Sequence, residues 1–245
     1  MSRREGILRE MGLGPIWRLR DRGAEPEQTT EESVEAKGPQ ASAASVAMVP
    51  AAGDERTQAI AAMGWEELRT AVADCRACAL CKARKQAVLG VGDVEADWLF
   101  VGEGPGAEED ERGEPFVGQA GKLLDAMLAA IDLKRGDNVY IANAVKCRPP
   151  GNRTPESEET AACWPFLERQ IALIKPKIIV ALGRPAAQTL LRSEVKISGA
   201  RGRVFDFNGT PLIVTYHPAY LLRNLPDKAL AWEDLCFMRR TMKTL

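Results

Sequence analysis

An α/β fold, with a mainly parallel four-stranded sheet covered by helices on both faces, is the architecture the sequence predicts. Four short runs at 98–101, 139–141, 178–183 and 212–216 are apolar almost throughout, the pattern of strands buried on both sides. Between these runs, apolar residues recur three and four apart, which is helical spacing. The chain has 245 residues, 45% of them hydrophobic, enough for one sizeable core with a tail left over.

The elements follow in order. Residues 1–57 read as a disordered tail. Residues 21–57 carry no aromatic side chain and are rich in Glu, Ala, Ser, Pro and Gly, so burial cannot offset the entropy of ordering them. Residues 1–20 set Ile7, Leu8, Met11, Ile16 and Trp17 among arginines; this is either a short amphipathic docking peptide or a frayed terminus. From Gln58 to Leu245 the pattern is that of a globular domain. It opens with a helix at 65–74 and a strand at 98–101 ended by Gly102. A helix follows at 121–131, carried by Leu123, Leu124, Met127, Leu128 and Ile131. Then come a strand at 139–141, a helix at 158–173, a strand at 178–183, a helix through Leu191, a strand at 212–216 and a closing helix at 228–245. In parallel sheets ligands sit at the carboxyl ends of strands, so chemistry is expected in the loops after Val101, Ile141 and Tyr216.

Charge excludes some classes. With 33 Lys+Arg against 34 Asp+Glu the chain is neither a basic nucleic-acid coat nor an acidic disordered polymer. The balance is local, however: residues 139–245 hold 16 basic and 9 acidic groups. That excess is either a face for a polyanion or ordinary helix-surface charge. No apolar stretch approaches the roughly 20 residues that span a bilayer, and the Arg-rich start has no apolar block of a secretory signal. A cytoplasmic location without membrane contact is expected.

The six cysteines are Cys75, Cys78, Cys81, Cys147, Cys163 and Cys236. Cys75 and Cys78 form a C-x2-C pair, a spacing that brings two thiolates to one centre. With Cys147 and Cys163 they make four soft ligands, suited to zinc or to an iron–sulfur cluster, and spacing does not decide between the two. Cys81 extends the run to C-x2-C-x2-C and competes for a ligand place, whereas Cys236 reads as core.

The first loop, Gly102-Glu103-Gly104-Pro105-Gly106, lets backbone approach a ligand closely, and Glu103 stands at the strand's carboxyl end. The acidic run Glu108–Glu111 reads as a solvated turn. Further on, Phe116 between Pro115 and Val117 is either a core plug or a platform for a flat ligand. Asn143 opens the second loop, where its amide either reads a base edge or closes an Asx turn. His217, the one histidine, is either a core residue or a catalyst; beside it, Leu221-Leu222-Arg223 has the composition of a wedge that unstacks DNA.

Four motifs, G-E-G-P-G-A-E-E-D, G-x-P-F-V-G-x-A-G, N-A-V-K-C-R-P-P-G-N-R and H-P-A-Y-L-L-R-N, stand in this order from Gly102 to Asn224. Together they resemble the family four uracil-DNA glycosylases of bacteria and archaea, over about residues 60–245. The resemblance implies a three-layer α/β/α sandwich and a monomer. It implies a [4Fe–4S] cluster on Cys75, Cys78, Cys147 and Cys163, with a structural role. It also implies extrusion of deoxyuridine from single- or double-stranded DNA and hydrolysis of its N-glycosidic bond. Phe116, flanked by Pro115 and Val117, would stack on uracil, Asn143 would read its polar edge and His217 would donate to the departing base. Glu103 and Asn152 would orient water, with Glu109 a third candidate, and Leu221, Leu222 and Arg223 would fill the gap in the duplex. The chain has Gly104 where a related, covalently trapping group has Gln, and no second histidine, so covalent trapping is not expected; with no lysine placed as an amine nucleophile, a monofunctional glycosylase of base excision repair is expected. The alternative is a non-catalytic iron–sulfur module that binds nucleic acid. Peptide 1–20 would dock a repair or replication protein.

Overall fold

A computed structural model describes residues 55–245. The chain divides into two units, Met1–Val49 and Pro50–Leu245. The expectations for the tail therefore lie outside the described residues, except at Glu55–Thr57, which already belong to a helix.

The four expected strands are present and adjacent. They are β2 (Trp98–Gly102), β3 (Val139–Asn143), β4 (Ile178–Leu182) and β6 (Thr210–Thr215), parallel in the order β3-β2-β4-β6. Two more strands make the sheet six-stranded: β1 (Val91–Gly92) pairs antiparallel with β3, and β5 (Val204–Phe207) antiparallel with β6. Neither shows a fully apolar run. β1 is two residues long, and β5 is an edge strand whose Val204 is 48% exposed. The β5–β6 hairpin closes on Asn208-Gly209, both with positive φ, a pair suited to a tight hairpin turn.

Successive residues of each strand point to opposite faces, which divides the core in two. On one face Leu99, Val101, Ala142, Ile179 and Val214 pack against α5 (Ser157–Ile174) and α6 (Arg184–Leu191). On the other, Phe100, Ile141, Val180, Leu182 and Ile213 meet α4 (Gln119–Ala129) and α9 (Lys228–Met242). This is the three-layer arrangement expected. A third cluster gathers α1 (Glu55–Ala62), α2 (Trp65–Asp74) and Phe166 of α5 around Cys147 and Cys163.

Three short helices complete the set: α3 (Ala107–Arg112), α7 (Ile197–Ala200) and α8 (Pro218–Arg223). The acidic run is thus a helix, not a solvated turn. Glu109 closes a capping box on Gly106, and Asp110, 2% exposed, accepts the backbone N–H of Lys85 at 2.9 Å.

Candidate functional site

The carboxyl ends of β2, β3, β4 and β6 open on a cleft of about 820 Å³. It brings together Glu103, Glu109, Phe116, Asn143, Asn152, His217 and Arg223 of the expected residues. Pro115 and Val117 lie outside its lining.

The floor is set by register. Gly102 of β2 pairs with Asn143 of β3, and a Cβ on Gly102 would sit 2.5 Å from Asn143 Oδ1 and 2.6 Å from Phe116 Cζ. Only a glycine lets these two side chains share that space. Asn143 is 2% exposed, and its Oδ1 is buried with no hydrogen-bond partner. The Asx-turn reading of Asn143 is thereby set aside. An orphaned buried acceptor costs about 1–3 kcal/mol, which makes Asn143 Oδ1 a costly feature of the fold.

Phe116 takes the left-handed conformation, φ 55°, unusual for an aromatic residue, and its ring lies 5.4 Å from the imidazole of His217 at 30°. It packs on the core and also lines the cleft.

His217 caps the N-terminus of α8, its Nδ1 accepting the N–H of Ala219 at 3.1 Å. Nε2 therefore carries the proton. Burial, with the charge of Arg223 behind it and against that of Glu109, pushes the imidazole down to about 4. The ring is a neutral donor at physiological pH.

Glu103 is half-buried, and burial raises its carboxyl above the ordinary value against the Thr154 hydroxyl and the Arg184 charge. Glu109 also lines the cleft, and both of its carboxylate oxygens accept backbone N–H groups. Its Oε1 accepts the N–H groups of Val117 at 3.0 Å and Gly118 at 3.2 Å, and its Oε2 that of Gly106 at 3.0 Å. Asn152 stands on the exposed rim, with Oδ1 taken by Arg148 Nε at 2.7 Å.

The wedge needs a correction. Leu221 is 1% exposed and belongs to the core beneath α8, because one face of that short helix must pack on the sheet layer. Leu222, 40% exposed, and the exposed Arg223 are the two residues of the three that face outward.

Sequence reasoning missed Arg184, Thr154 and the stacked pair Tyr216–Tyr220, whose centroids are 5.2 Å apart. Arg184 was within reach: it follows β4, and the carboxyl-end rule covers all four parallel strands, not three.

A second centre adjoins the first along the loop from Asn143 to Cys147. Cys75 ends α2, Cys78 precedes the turn Ala79–Lys82, Cys163 sits in α5, and Cys75, Cys78, Cys147 and Cys163 all meet in the third core cluster. Three sulfurs receive N–H groups: Cys147 from Arg84 Nη1 at 2.9 Å, Cys163 from the Lys146 backbone at 3.3 Å and Cys75 from Arg56 Nη2 at 3.8 Å. Burial pushes the Cys163 thiol up to about 12 and raises Cys78 and Cys147 as well, so thiolates here need cationic company. Among the described residues no three His, Cys, Asp or Glu side chains close on a single point as ligands of one ion must. Cys81 is half-buried and borders a separate concavity with Arg76 and Lys85.

Among the described residues no helix is long and apolar enough to cross a membrane. Residues 89–236 match the model of the uracil DNA glycosylase superfamily. A type-4 uracil-DNA glycosylase of Thermotoga maritima is 48% identical over 178 residues, covering 69% of this chain and 92% of that protein. One from Pyrobaculum aerophilum is 44% identical over 169 residues, 66% of this chain and 86% of its own length. A type-5 uracil-DNA glycosylase of Thermus thermophilus is 39% identical over 118 residues, covering 42% and 53%.

Proposed function

The chain belongs to the uracil DNA glycosylase superfamily, and from that membership we propose how its own residues excise uracil from DNA. It is an N-glycosylase of DNA repair. The reaction breaks the bond between N1 of the base and C1′ of the sugar; water supplies hydroxide to C1′ and a proton to the released uracil. Charge develops on the base oxygens as the sugar becomes cationic, so donors aimed at those oxygens lower the barrier.

Extruded uracil lies on the Phe116 ring. Its N3–H meets the unpartnered Oδ1 of Asn143, and the Asn143 amide donates to the neighbouring oxygen. The proton on His217 Nε2 stabilises the charge that grows on the other carbonyl oxygen. A neutral imidazole suits this role, since an imidazolium would be repelled by the Arg223 charge it already feels. Glu103 holds the attacking water, and Asn152 offers it amide donors from the rim. Leu222 enters the vacated stack while Arg223 takes phosphate. The observation that carries this reading is the orphaned, buried Oδ1 of Asn143 in a cleft that also holds a neutral histidine donor.

Cys75, Cys78, Cys147 and Cys163 would hold a [4Fe–4S] cluster, which fits four soft thiol donors gathered in one core cluster. When bound it supplies cross-linking of loops rather than redox chemistry, because hydrolysis transfers no electrons. Cys81 remains outside the ligand set. The protein acts as a cytoplasmic monomer, with peptide 1–20 docking a repair or replication protein.

The test is release of base from an oligonucleotide carrying one deoxyuridine, read as strand cleavage by alkali, with a thymine control. Cleavage confined to the uracil strand, lost together in Asn143→Ala and His217→Ala, is expected. Wild-type rates in both variants would overturn the assignment.

A further inference from the structure

Phe116 sits in a backbone conformation that L-residues avoid, so something beyond its own preference must hold it there. Two charged side chains grip the backbone around it, one by the carbonyls of 115–116 and one by the N–H groups of 117–118. Arg135, between α4 and β3, donates from Nη1 to the carbonyl of Pro115 at 2.9 Å and from Nη2 to that of Phe116 at 2.8 Å. Its Nε is anchored on Asp125 Oδ1 of α4 at 2.9 Å, and the side chain is only 22% exposed. The Glu109 carboxylate accepts from Val117 and Gly118. The fit leaves no slack: a Cβ on Gly121 would lie 1.7 Å from the carbonyl oxygen of Phe116, so α4 presses against the same peptide that Arg135 grips.

Neither clamp residue is needed to hold the sheet. Arg135 bridges a loop carbonyl pair to a surface acid, and no core strand depends on it. What its fork does hold is the 115–116 backbone that carries the Phe116 ring, 5.4 Å from His217. We propose that Arg135 is a positioning residue for the base: its bidentate grip on the 115–116 carbonyls, with Glu109 on the 117–118 N–H groups, holds Phe116 in its left-handed conformation so that the ring meets the base at a fixed distance from the histidine donor. The inference rests on the stacking role proposed for Phe116. Arg is suited to the task where Lys is not, because only a planar fork grips two adjacent oxygens while its third nitrogen holds an acid.

The experiment is a double-mutant cycle on the cluster-loaded full chain. Arg135→Gln and Arg135→Lys are each made alone and with Phe116→Ala, and kcat/KM on a uracil oligonucleotide is read beside competitive inhibition by free uracil. Misplacing a reacting group by about 1 Å costs on the order of 100-fold, so each Arg135 variant should lose about that much in the Phe116 background, with uracil inhibition weakened in parallel. In the Phe116→Ala background the same substitutions should change kcat/KM by less than about 2-fold, since the ring they position is gone. Arg135→Lys keeps the positive charge beside Asp125, so it yields folded protein for the cycle should Arg135→Gln not. Additive losses in the two backgrounds would overturn the positioning role while leaving the stacking role intact. Wild-type kcat/KM in Phe116→Ala itself would remove the stacking role, and this inference with it.

Discussion

Asn143→Leu should push stability and activity in opposite directions. The orphaned Oδ1 is a buried acceptor that water satisfies in the unfolded chain and nothing satisfies in the folded one, a deficit of about 1–3 kcal/mol. Leucine has the same branching point and no polar atom, and Oδ1 makes no hydrogen bond that the change would break. The extra bulk meets Gly102 and Phe116, which already crowd this position, and returns part of the gain. A net gain of about 1 kcal/mol raises the melting temperature by about 2–4 °C for a domain of this size. Activity goes the other way. Uracil loses its N3–H acceptor in a desolvated pocket, so kcat/KM falls by at least 100-fold. Thermal unfolding of cluster-loaded protein, alongside single-turnover excision, reads both quantities. A lower melting temperature with activity retained would refute the reasoning, because Oδ1 would then hold a structural bond and read no base.

The acid limb of the kcat/KM profile should belong to Glu103 and not to His217, which stays neutral down to about 4. Glu103→Gln should abolish that limb along with most of the rate. The Glu103 carboxyl is raised on folding, so the fold is favoured below its unfolded value and loses that advantage as pH climbs through the folded one. Glu103→Gln therefore stabilises at neutral pH but not in acid, as melting curves at the two pH values will show. Leu221→Ala should cost about 2–5 kcal/mol, because the side chain is in the core, whereas Leu222→Ala should leave stability within about 0.5 kcal/mol and weaken excision from duplex more than from single strands. Arg84→Ala removes the donor to Cys147 Sγ and a tie to the Cys75 carbonyl, and should lower iron and sulfide per chain; Cys81→Ser should leave both unchanged.

The strands of the parallel sheet were legible because they are buried on both faces and carry no polar interruption. Their apolar runs mark β2, β3, β4 and β6 to within two residues. The edge strands were not, since pairing on one side only leaves residues such as Val204 exposed and erases the run, although Asn208-Gly209 advertised the hairpin between β5 and β6. Of the site, Glu103, Phe116, Asn143 and His217 were readable because each stands at or just beyond a strand end or in a glycine-rich loop. Side-chain direction was not readable. Leu221 and Leu222 are neighbours of like chemistry, and only the short helix α8 decides which one the core takes. Arg135 and Glu109 were invisible as a clamp for a similar reason: their partners are backbone groups, which carry no residue signature.

The pairing of Gly102 with Asn143 also governs how this chain can change length. Strand faces alternate with every residue, so inserting one residue into β2 or β3 would rotate Asn143 out of the cleft and put a Cβ where the strand end tolerates none. Insertions ahead of Trp98 or Val139 meet the amino ends of the same strands and leave this pairing untouched, so long as Arg135 keeps its grip on the 115–116 carbonyls. The molecule thus has a side where turns are free to lengthen and a side where they are not, and the divide runs through the middle of two five-residue strands.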